Sequence, residues 1–274
     1  MASARSAAGR RDPPYDARLY AAVHDGTPGD LAFYRAVCHG VTSVLELGCG
    51  YGRVLEALVD RVPRLVGLDL DEGLLALATE RLAISDRPMP ELVRADMTTF
   101  DLRERFDRVL VPHSGLFCLL DDRALHACLA CVREHVGPDG LLVFDVYEAD
   151  SFHDEAEPDD LDPDTLVFVK TVQVEGRVFD VYERSTWDRA QQRIDATYVH
   201  VPVDGGPPVE GTIRQRYLTR AQLVGALEAA GWTPREVRAG FDRGREDGVV
   251  VVAAPTRDRP ERTPRGRSHS AGRS

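Results

Sequence analysis

Three acidic residues stand in or just after short apolar runs, and their types and spacing suit them to binding a polar ligand. Glu46 lies in the run 43–47, Asp69 ends a second run, and Asp96 follows the run 91–95. The carboxyl ends of parallel strands meet at one edge of an open α/β sheet, and ligands bind at that edge. Carboxylate oxygens accept hydrogen bonds, so the three acids predict a ligand-binding site at this edge.

A glycine-dense turn follows the first apolar run and precedes a helix predicted over Arg53–Arg61. Its glycines are Gly48, Gly50 and Gly52, and glycine both tolerates positive φ and lets a ligand approach the backbone closely. A dinucleotide fingerprint has its third glycine one position later, where this chain has Arg53. The turn therefore predicts a nucleotide-type binding loop whose spacing differs from the dinucleotide pattern.

The string Glu46-x-Gly48-x-Gly50-x-Gly52 resembles motif I of class I S-adenosylmethionine (SAM) dependent methyltransferases. The resemblance extends over about residues 40 to 255. It implies an α/β fold with a Rossmann-like seven-stranded methyltransferase sheet whose last strand is antiparallel. It also implies SAM as the cofactor and methyl transfer to oxygen or nitrogen of a small-molecule acceptor as the reaction.

The adenosine end of SAM is predicted to lie against the second and third strands. Asp69 is 21 positions after Gly48, the interval at which a βαβ unit places a carboxylate near a ribose. Leu70 is expected to pack on adenine, and the resemblance assigns Asp96 to the adenine amino group. Asp71 is equally suited to a binding role in this site and to capping the helix that follows it. The predicted cofactor-binding residues are Glu46, Gly48, Cys49, Gly50, Gly52, Asp69, Leu70, Asp96, Met97 and Pro112.

The fourth predicted strand, 106–111, ends in Pro112-His113-Ser114-Gly115, and the resemblance implies that this exit faces the methyl group. Many amine and nucleobase methyltransferases carry Asn or Asp followed by Pro-Pro-Tyr/Phe here, and this chain departs from that pattern. Imidazole titrates near neutral pH, so His113 is a candidate general base for an acceptor hydroxyl or amine. The alternative is a histidine that only lines the pocket.

Residues 15–40 are predicted to form a loop and a helix, and in the family that this chain resembles such a segment often closes over the cofactor. The candidate lid residues are Tyr15, Tyr20, His24 and Tyr34, with plain amphipathic packing as the alternative for each. Asp145 and Tyr147 come at the exit of the fifth strand. The predicted acceptor-contacting residues are Tyr15, His24, Ser114, Phe117, Tyr147, Trp187 and Arg216.

Beyond the fifth strand the hydrophobic period changes from helical to β-type. Runs between 166 and 218, separated by turns rich in glycine and aspartate, predict an antiparallel sheet that is inserted before the last helix and covers the acceptor pocket. Thr219 and Gly231 are predicted to cap that helix. The predicted divisions are a disordered tail (1–14), the SAM-binding core with its lid (15–147), the β cap (148–217), the closing helix and strands (218–255) and a second disordered tail (256–274). Within the β cap, residues 148–164 are predicted to form an acidic loop.

Composition narrows the class of protein and its partners. With 274 residues and 43% apolar residues, the chain has the ordinary composition of a soluble globular protein. Its formal net charge is −11, and no nucleic-acid partner is expected because such binding needs a basic face. No run is long enough to span a membrane and no secretory signal is evident, so we expect a cytoplasmic protein with no membrane partner. The sequence leaves the oligomeric state open. Cys128 and Cys131 fall in an apolar helical pattern, which favours core packing over a metal site.

The sequence predicts a small-molecule methyltransferase and leaves three alternatives. One is an NAD(P)-dependent oxidoreductase, which the glycine spacing and Asp96 disfavour. The second is a SAM-fold enzyme with other chemistry, such as an aminopropyl transferase or a cyclase. The third is a binding module without catalysis.

Overall fold

Strands and helices alternate along most of the chain. The computed structural model describes residues 15–83, 88–156, 164–241 and 248–256. The helices are α1 (Ala17–Val23), α2 (Asp30–Val37), α3 (Arg53–Leu58), α4 (Glu72–Leu82), α5 (Asp122–His135), α6 (Asp150–Glu155) and α7 (Arg220–Ala229). The strands are β1 (Ser43–Leu47), β2 (Arg64–Asp69), β3 (Glu91–Arg94), β4 (Phe106–Val111), β5 (Val136–Tyr147), β6 (Val167–Val174), β7 (Arg177–Asp188), β8 (Arg193–Pro202), β9 (Val209–Arg216), β10 (Trp232–Ala239) and β11 (Gly248–Pro255).

Seven strands form one mixed sheet in the order β10-β11-β5-β4-β1-β2-β3. Strands β1 to β5 pair in parallel, whereas β11 is antiparallel to both of its neighbours. This topology confirms the predicted Rossmann-like sheet with an antiparallel last strand. The strand order reverses at β1, which lies between β2 and β4, and in open α/β sheets the crevice at such a reversal is the ligand site.

Alternating residues of the buried strands supply the two faces of the sheet. Leu45 and Leu47 pack toward α5 and α7, whereas Val44 packs toward α2, α3 and α4 on the opposite face. Each side chain buried in this way contributes about 1.5–3 kcal/mol of hydrophobic stabilisation. Cys128 is fully buried in the first of these clusters, so its predicted core packing is confirmed.

A separate four-stranded antiparallel sheet, β6-β7-β8-β9, forms the cap. Helix α1 packs against this sheet through Leu19 and Val23, which contact Val172, Phe179 and Val181. Arg18 on the same helix forms ion pairs with Glu80 of α4 and Glu175 of the β6–β7 turn. The N-terminal segment thus connects the core to the cap.

Local signals set several helix ends as predicted. The Asp71 side chain accepts from the backbone N–H of Leu74 and caps α4. Thr219 and Gln222 form a capping box at the start of α7, and Gly231 after its end has a φ of +76°. Asp71 is therefore the cap that the sequence offered as one of its two roles.

Some boundaries differ from the sequence predictions. Residues 15–40 contain two helices instead of one, and α3 ends at Leu58, three residues earlier than predicted. The predicted loop 148–164 contains the short helix α6, because Glu148 accepts backbone N–H bonds at its start, and 157–163 lie outside the described residues. The predicted tail 1–14 also lies outside them, as does the predicted tail 256–274 apart from Thr256. Within the described ranges, no helix combines the length and apolar character that a membrane span needs.

Candidate cofactor and acceptor site

The glycine loop between β1 and α3 is shaped by one carboxylate. Gly48, Gly50 and Gly52 have φ values of +67°, +52° and +80°, a region that glycine adopts without strain. The backbone N–H of Gly50 donates a 2.7 Å hydrogen bond to Oδ2 of Asp69 at the end of β2. Among the described residues, a methyl group built at Gly50 would meet nothing within 4 Å, and one at Gly48 would meet only Met97 at 3.6 Å. The loop therefore leaves room for a ligand against its backbone.

The ends of β2 and β3 present the other predicted adenosine-binding residues. Asp69 also accepts the backbone N–H of Asp71 through Oδ1 at 2.9 Å. Leu70 next to it is 63% exposed, and an apolar side chain left open beside a carboxylate is suited to packing under a flat ring. Asp96 forms a local turn in which its Oδ1 accepts from the N–H and hydroxyl of Thr98. The residues present therefore fit an adenosine moiety.

Glu46 lies beneath the loop and is only 2% exposed. Its Oε2 has no hydrogen-bond partner among the described residues, and burial raises its pKa well above the usual value, an effect that nearby Arg53 partly offsets. Arg53 is itself held by Asp30 through two short hydrogen bonds. An unpartnered buried carboxyl oxygen is a strong acceptor for an ammonium group, and SAM carries one.

The exit of β4 has an unusual backbone that is anchored on β5. His113 and Ser114 both have positive φ, +54° and +56°, and such values are uncommon outside glycine. Oδ1 of Asp145 accepts from the N–H of His113 at 2.9 Å and from the hydroxyl of Tyr34 at 2.5 Å. The Ser114 hydroxyl accepts from the N–H of Tyr147. These bonds fix the backbone of the turn that carries His113.

A cavity of about 230 Å³ opens between this turn and the cap. The predicted residues His24, His113, Ser114 and Tyr147 line it together with the lid candidate Tyr20 and with Asp145. The cap contributes Ala196, Tyr198, Ile213 and Gln215. The structure thus brings residues from the N-terminal segment, the strand exits and the cap to the wall of one cavity.

The two histidines that line the cavity, His24 and His113, are both uncharged. Burial lowers the pKa of His113 below its ordinary value, although Asp145 acts in the opposite direction. His113 is an exposed residue because it lines the cavity. Burial lowers the pKa of His24 to about 3, and the neighbouring His113 adds to this effect. Both rings are therefore neutral at physiological pH and offer a nitrogen lone pair.

Four of the predicted acceptor residues do not line this cavity. Tyr15 packs against Tyr198 and lies 3.3 Å from His200 Nε2 through its hydroxyl. Phe117 is 1% exposed in the core behind Tyr147. Trp187 donates to the Tyr217 hydroxyl. Arg216 forms an ion pair with Asp122 at 2.8 Å. The lid candidate Tyr34 is also fully buried below the turn.

Sequence reasoning missed Cys118, Ile213 and Gln215 among the lining residues. Side chains alternate between the two faces of a strand, so Ile213 and Gln215 share one face of β9 and Arg216 lies on the other. The alternation is visible in the sequence, but which face meets the core is not.

Comparisons with known proteins agree with this geometry. Residues 44–140 match the family model described as a methyltransferase domain. The chain is 29% identical over 251 residues to dTDP-3-amino-3,6-dideoxy-alpha-D-glucopyranose N,N-dimethyltransferase of Streptomyces fradiae, covering 88% of this chain and 93% of the relative. The chain is a class I SAM-dependent methyltransferase.

Two solved structures of methyltransferases extend the likeness to the whole fold. The CcbJ methyltransferase from Streptomyces caelestis is 25% identical, with a TM-score of 0.69 over 89% of this chain and 91% of that one. SAM-bound CalS10, an amino pentose methyltransferase from Micromonospora echinaspora, is 27% identical, with a TM-score of 0.61 over 83% and 89%. SAM is accordingly the cofactor of this methyltransferase.

Proposed function

We propose that this methyltransferase transfers the methyl group of SAM to an amino nitrogen of a small molecule, and that the acceptor is an amino sugar. The observation that carries the proposal is the likeness to the Streptomyces fradiae N,N-dimethyltransferase, which extends over 88% of this chain. That length takes in the cap as well as the SAM-binding core. The lining of the cavity, which the cap helps to form, supports an amine acceptor because a neutral histidine is part of it.

The residues proposed to hold SAM lie along the carboxyl edge of the sheet. Asp69 accepts from the ribose hydroxyls, Leu70 packs on the adenine, and Asp96 accepts from the adenine amino group. Gly48 and Gly50 admit the amino-acid portion, and the buried carboxyl of Glu46 accepts from its ammonium group. The room at the two glycines and the unpartnered Glu46 oxygen support these assignments.

When SAM is bound, its sulfonium supplies a methyl group that is already activated for in-line displacement. The protein is then needed mainly for proximity and for exclusion of water. An amine acceptor enters as an ammonium ion, so one proton must leave before its nitrogen lone pair can attack carbon. Neutral His113 takes this proton and later releases it to solvent.

The assay that tests the proposal uses dTDP-3-amino-3,6-dideoxy-α-D-glucopyranose as acceptor and the matching sugar with a hydroxyl in place of the amine as control. We expect S-adenosylhomocysteine to form with the amine together with a mass gain of one or two methyl groups on the sugar. The hydroxyl sugar should give neither product. Methylation of the hydroxyl sugar at an equal rate would overturn the N-methylation assignment.

Other amino sugars, including an amino pentose glycoside, complete the acceptor panel. Failure of every amine in the panel, with SAM binding intact by calorimetry, would overturn the amino-sugar assignment and leave the methyltransferase assignment in place.

A further inference from the structure

His24 follows the last residue of helix α1 and caps that helix. Its side chain belongs to the wall of the cavity. Its Nε2 is buried and has no hydrogen-bond partner among the described residues. A buried polar atom without a partner costs about 1–3 kcal/mol of stability. At a cavity wall, a bound ligand can remove this loss of stability by donating a hydrogen bond to Nε2.

The ring is held in place from several sides. The Tyr20 ring lies 4.4 Å from it between centroids, and the Tyr198 ring meets it edge-on at 4.7 Å. The His24 carbonyl accepts a 2.8 Å bond from the hydroxyl of Tyr51 in the glycine loop. The ring therefore has a fixed orientation relative to both the cofactor loop and the cap, as a preorganised binding group requires.

His24 and His113 form a pair across the cavity lining, with ring centroids 6.2 Å apart. An amine nitrogen forms hydrogen bonds of about 2.9 Å, and two such bonds are separated by roughly the tetrahedral angle. Two rings with this separation can therefore each accept one of the two bonds. One nitrogen of an acceptor can therefore contact both imidazoles at once.

We propose that His24 binds the acceptor amine, with Nε2 accepting a hydrogen bond from an N–H that remains after His113 has removed a proton. This inference rests on the proposed N-methylation and assigns a residue to the orientation of the attacking nitrogen. Loss of the proton leaves the lone pair directed toward His113, and the amine then turns about its N–H bond to His24 until the lone pair points at the methyl carbon. The nitrogen then bonds to the methyl carbon, and the carbon–sulfur electron pair stays on sulfur as the thioether forms.

The neutral state of His24 agrees with this role. Burial and the neighbouring imidazole hold the pKa of His24 at about 3, so the ring has one nitrogen that accepts at all relevant pH values. Lys170, which is close enough to add to this effect, is itself bonded to Asp25 and to the Val23 carbonyl.

His200 provides a matched control in the same aromatic cluster. It is also a buried histidine, but its Nε2 lies 3.3 Å from the Tyr15 hydroxyl and its Nδ1 lies 3.3 Å from the Val209 carbonyl. Both of its nitrogens therefore have protein partners, and the ring is not part of the cavity wall described above.

The test compares His24→Phe, His24→Gln and His200→Phe using whichever amine of the panel the wild type methylates. His24→Phe keeps the aromatic packing and removes the acceptor atom, so we expect kcat/KM to fall about 10-fold to 100-fold. His24→Gln places an oxygen near the Nε2 position and should recover most of that loss. His200→Phe should leave kcat/KM within about threefold of the wild type, since an intact cavity wall preserves orientation.

Thermal unfolding without acceptor separates a binding role from a structural one. Removing an unpartnered buried nitrogen should keep or raise the melting temperature in His24→Phe, and His24→Met serves as a second apolar variant if the first does not fold. Wild-type kcat/KM in the apolar variant, or a Gln variant as slow as the Phe variant, would overturn the assignment. A wild type inactive on every amine would show instead that the proposed function had failed, and this assignment would fall with it.

Discussion

Tyr34 donates a 2.5 Å hydrogen bond to Oδ1 of Asp145, and both side chains are buried. The same oxygen accepts the backbone N–H of His113 at 2.9 Å. A tyrosine of helix α2 therefore fixes the carboxylate of β5 that in turn fixes the turn after β4. The cavity wall depends on this contact between residues 111 positions apart.

Tyr34→Phe removes only the hydroxyl from this arrangement. Burial raises the pKa of Asp145, and the Tyr34 bond acts against that rise, so the variant should raise this pKa further. We expect the free energy of unfolding to fall by about 1–3 kcal/mol, measured by urea denaturation. Combining the change with Asp145→Asn should give less than the sum of the single effects, because the two residues share one bond. Strict additivity would show that the pair does not interact in solution.

Glu46 is predicted to lower the stability of the protein without ligand. Its folded-state pKa is raised, so the folded chain binds this proton more tightly than the unfolded chain does. The Glu46 side chain thus contributes to the free energy of unfolding below the ordinary glutamate pKa of about 4.3. This stabilisation is lost as the pH rises through the pKa of Glu46 in the folded state.

Glu46→Gln should therefore be more stable than the wild type at pH 7 by about 1–3 kcal/mol, and this difference should shrink as pH falls toward about 4. Affinity for SAM should fall in the same variant. Glu56→Gln, which alters an exposed ion pair with Arg81, is the control and should change neither quantity by much. Equal stability of Glu46→Gln and wild type at both pH values would contradict the prediction.

The sheet could be predicted because its evidence is local. Apolar runs, the glycine turn and the caps at Asp71 and Thr219 each act within a few residues. Strand β10 carries Pro234, Arg235 and Glu236 in its middle, so its sequence lacks a β pattern. It is a strand because β11 offers it a paired edge.

The lining of the cavity could be predicted only in part. The residues at strand exits, His113 and Tyr147, follow from the rule that ligands bind at the carboxyl edge. The choice of Gln215 over Arg216 depends on the register of the cap sheet, where a shift of one residue exchanges the two faces. The Tyr34–Asp145 bond joins segments that only the complete fold brings together.

Asp69 is expected to act on SAM through two routes. Its carboxylate is the proposed ribose acceptor, and it also holds the Gly50 N–H. Asp69→Ala should weaken SAM binding by about 10-fold to 100-fold in calorimetric titration, since hydrogen bonds to a charged group are lost. The neighbouring variant Asp71→Ala should leave affinity nearly unchanged while it lowers stability by about 1 kcal/mol through loss of the α4 cap. Unchanged affinity in Asp69→Ala would remove the ribose assignment.

His113 is predicted to set the lower limit of the pH range of the reaction. Burial lowers its pKa below 6.5, so the ring stays neutral through physiological pH and becomes protonated only in acid. A base must be neutral to accept a proton, so kcat/KM should fall as pH drops through the lowered pKa. His113→Asn should reduce turnover at neutral pH by about 100-fold or more and abolish this acidic fall.

Asparagine is the suitable replacement because it tolerates the positive φ of this position and cannot act as a base. His126→Asn, on the exposed face of α5, is the control and should behave as the wild type. SAM affinity is measured alongside, to separate loss of the base from loss of the cofactor site. If His113→Asn retains full turnover with the same pH profile, His113 only lines the pocket, and the amine must lose its proton to solvent before it binds.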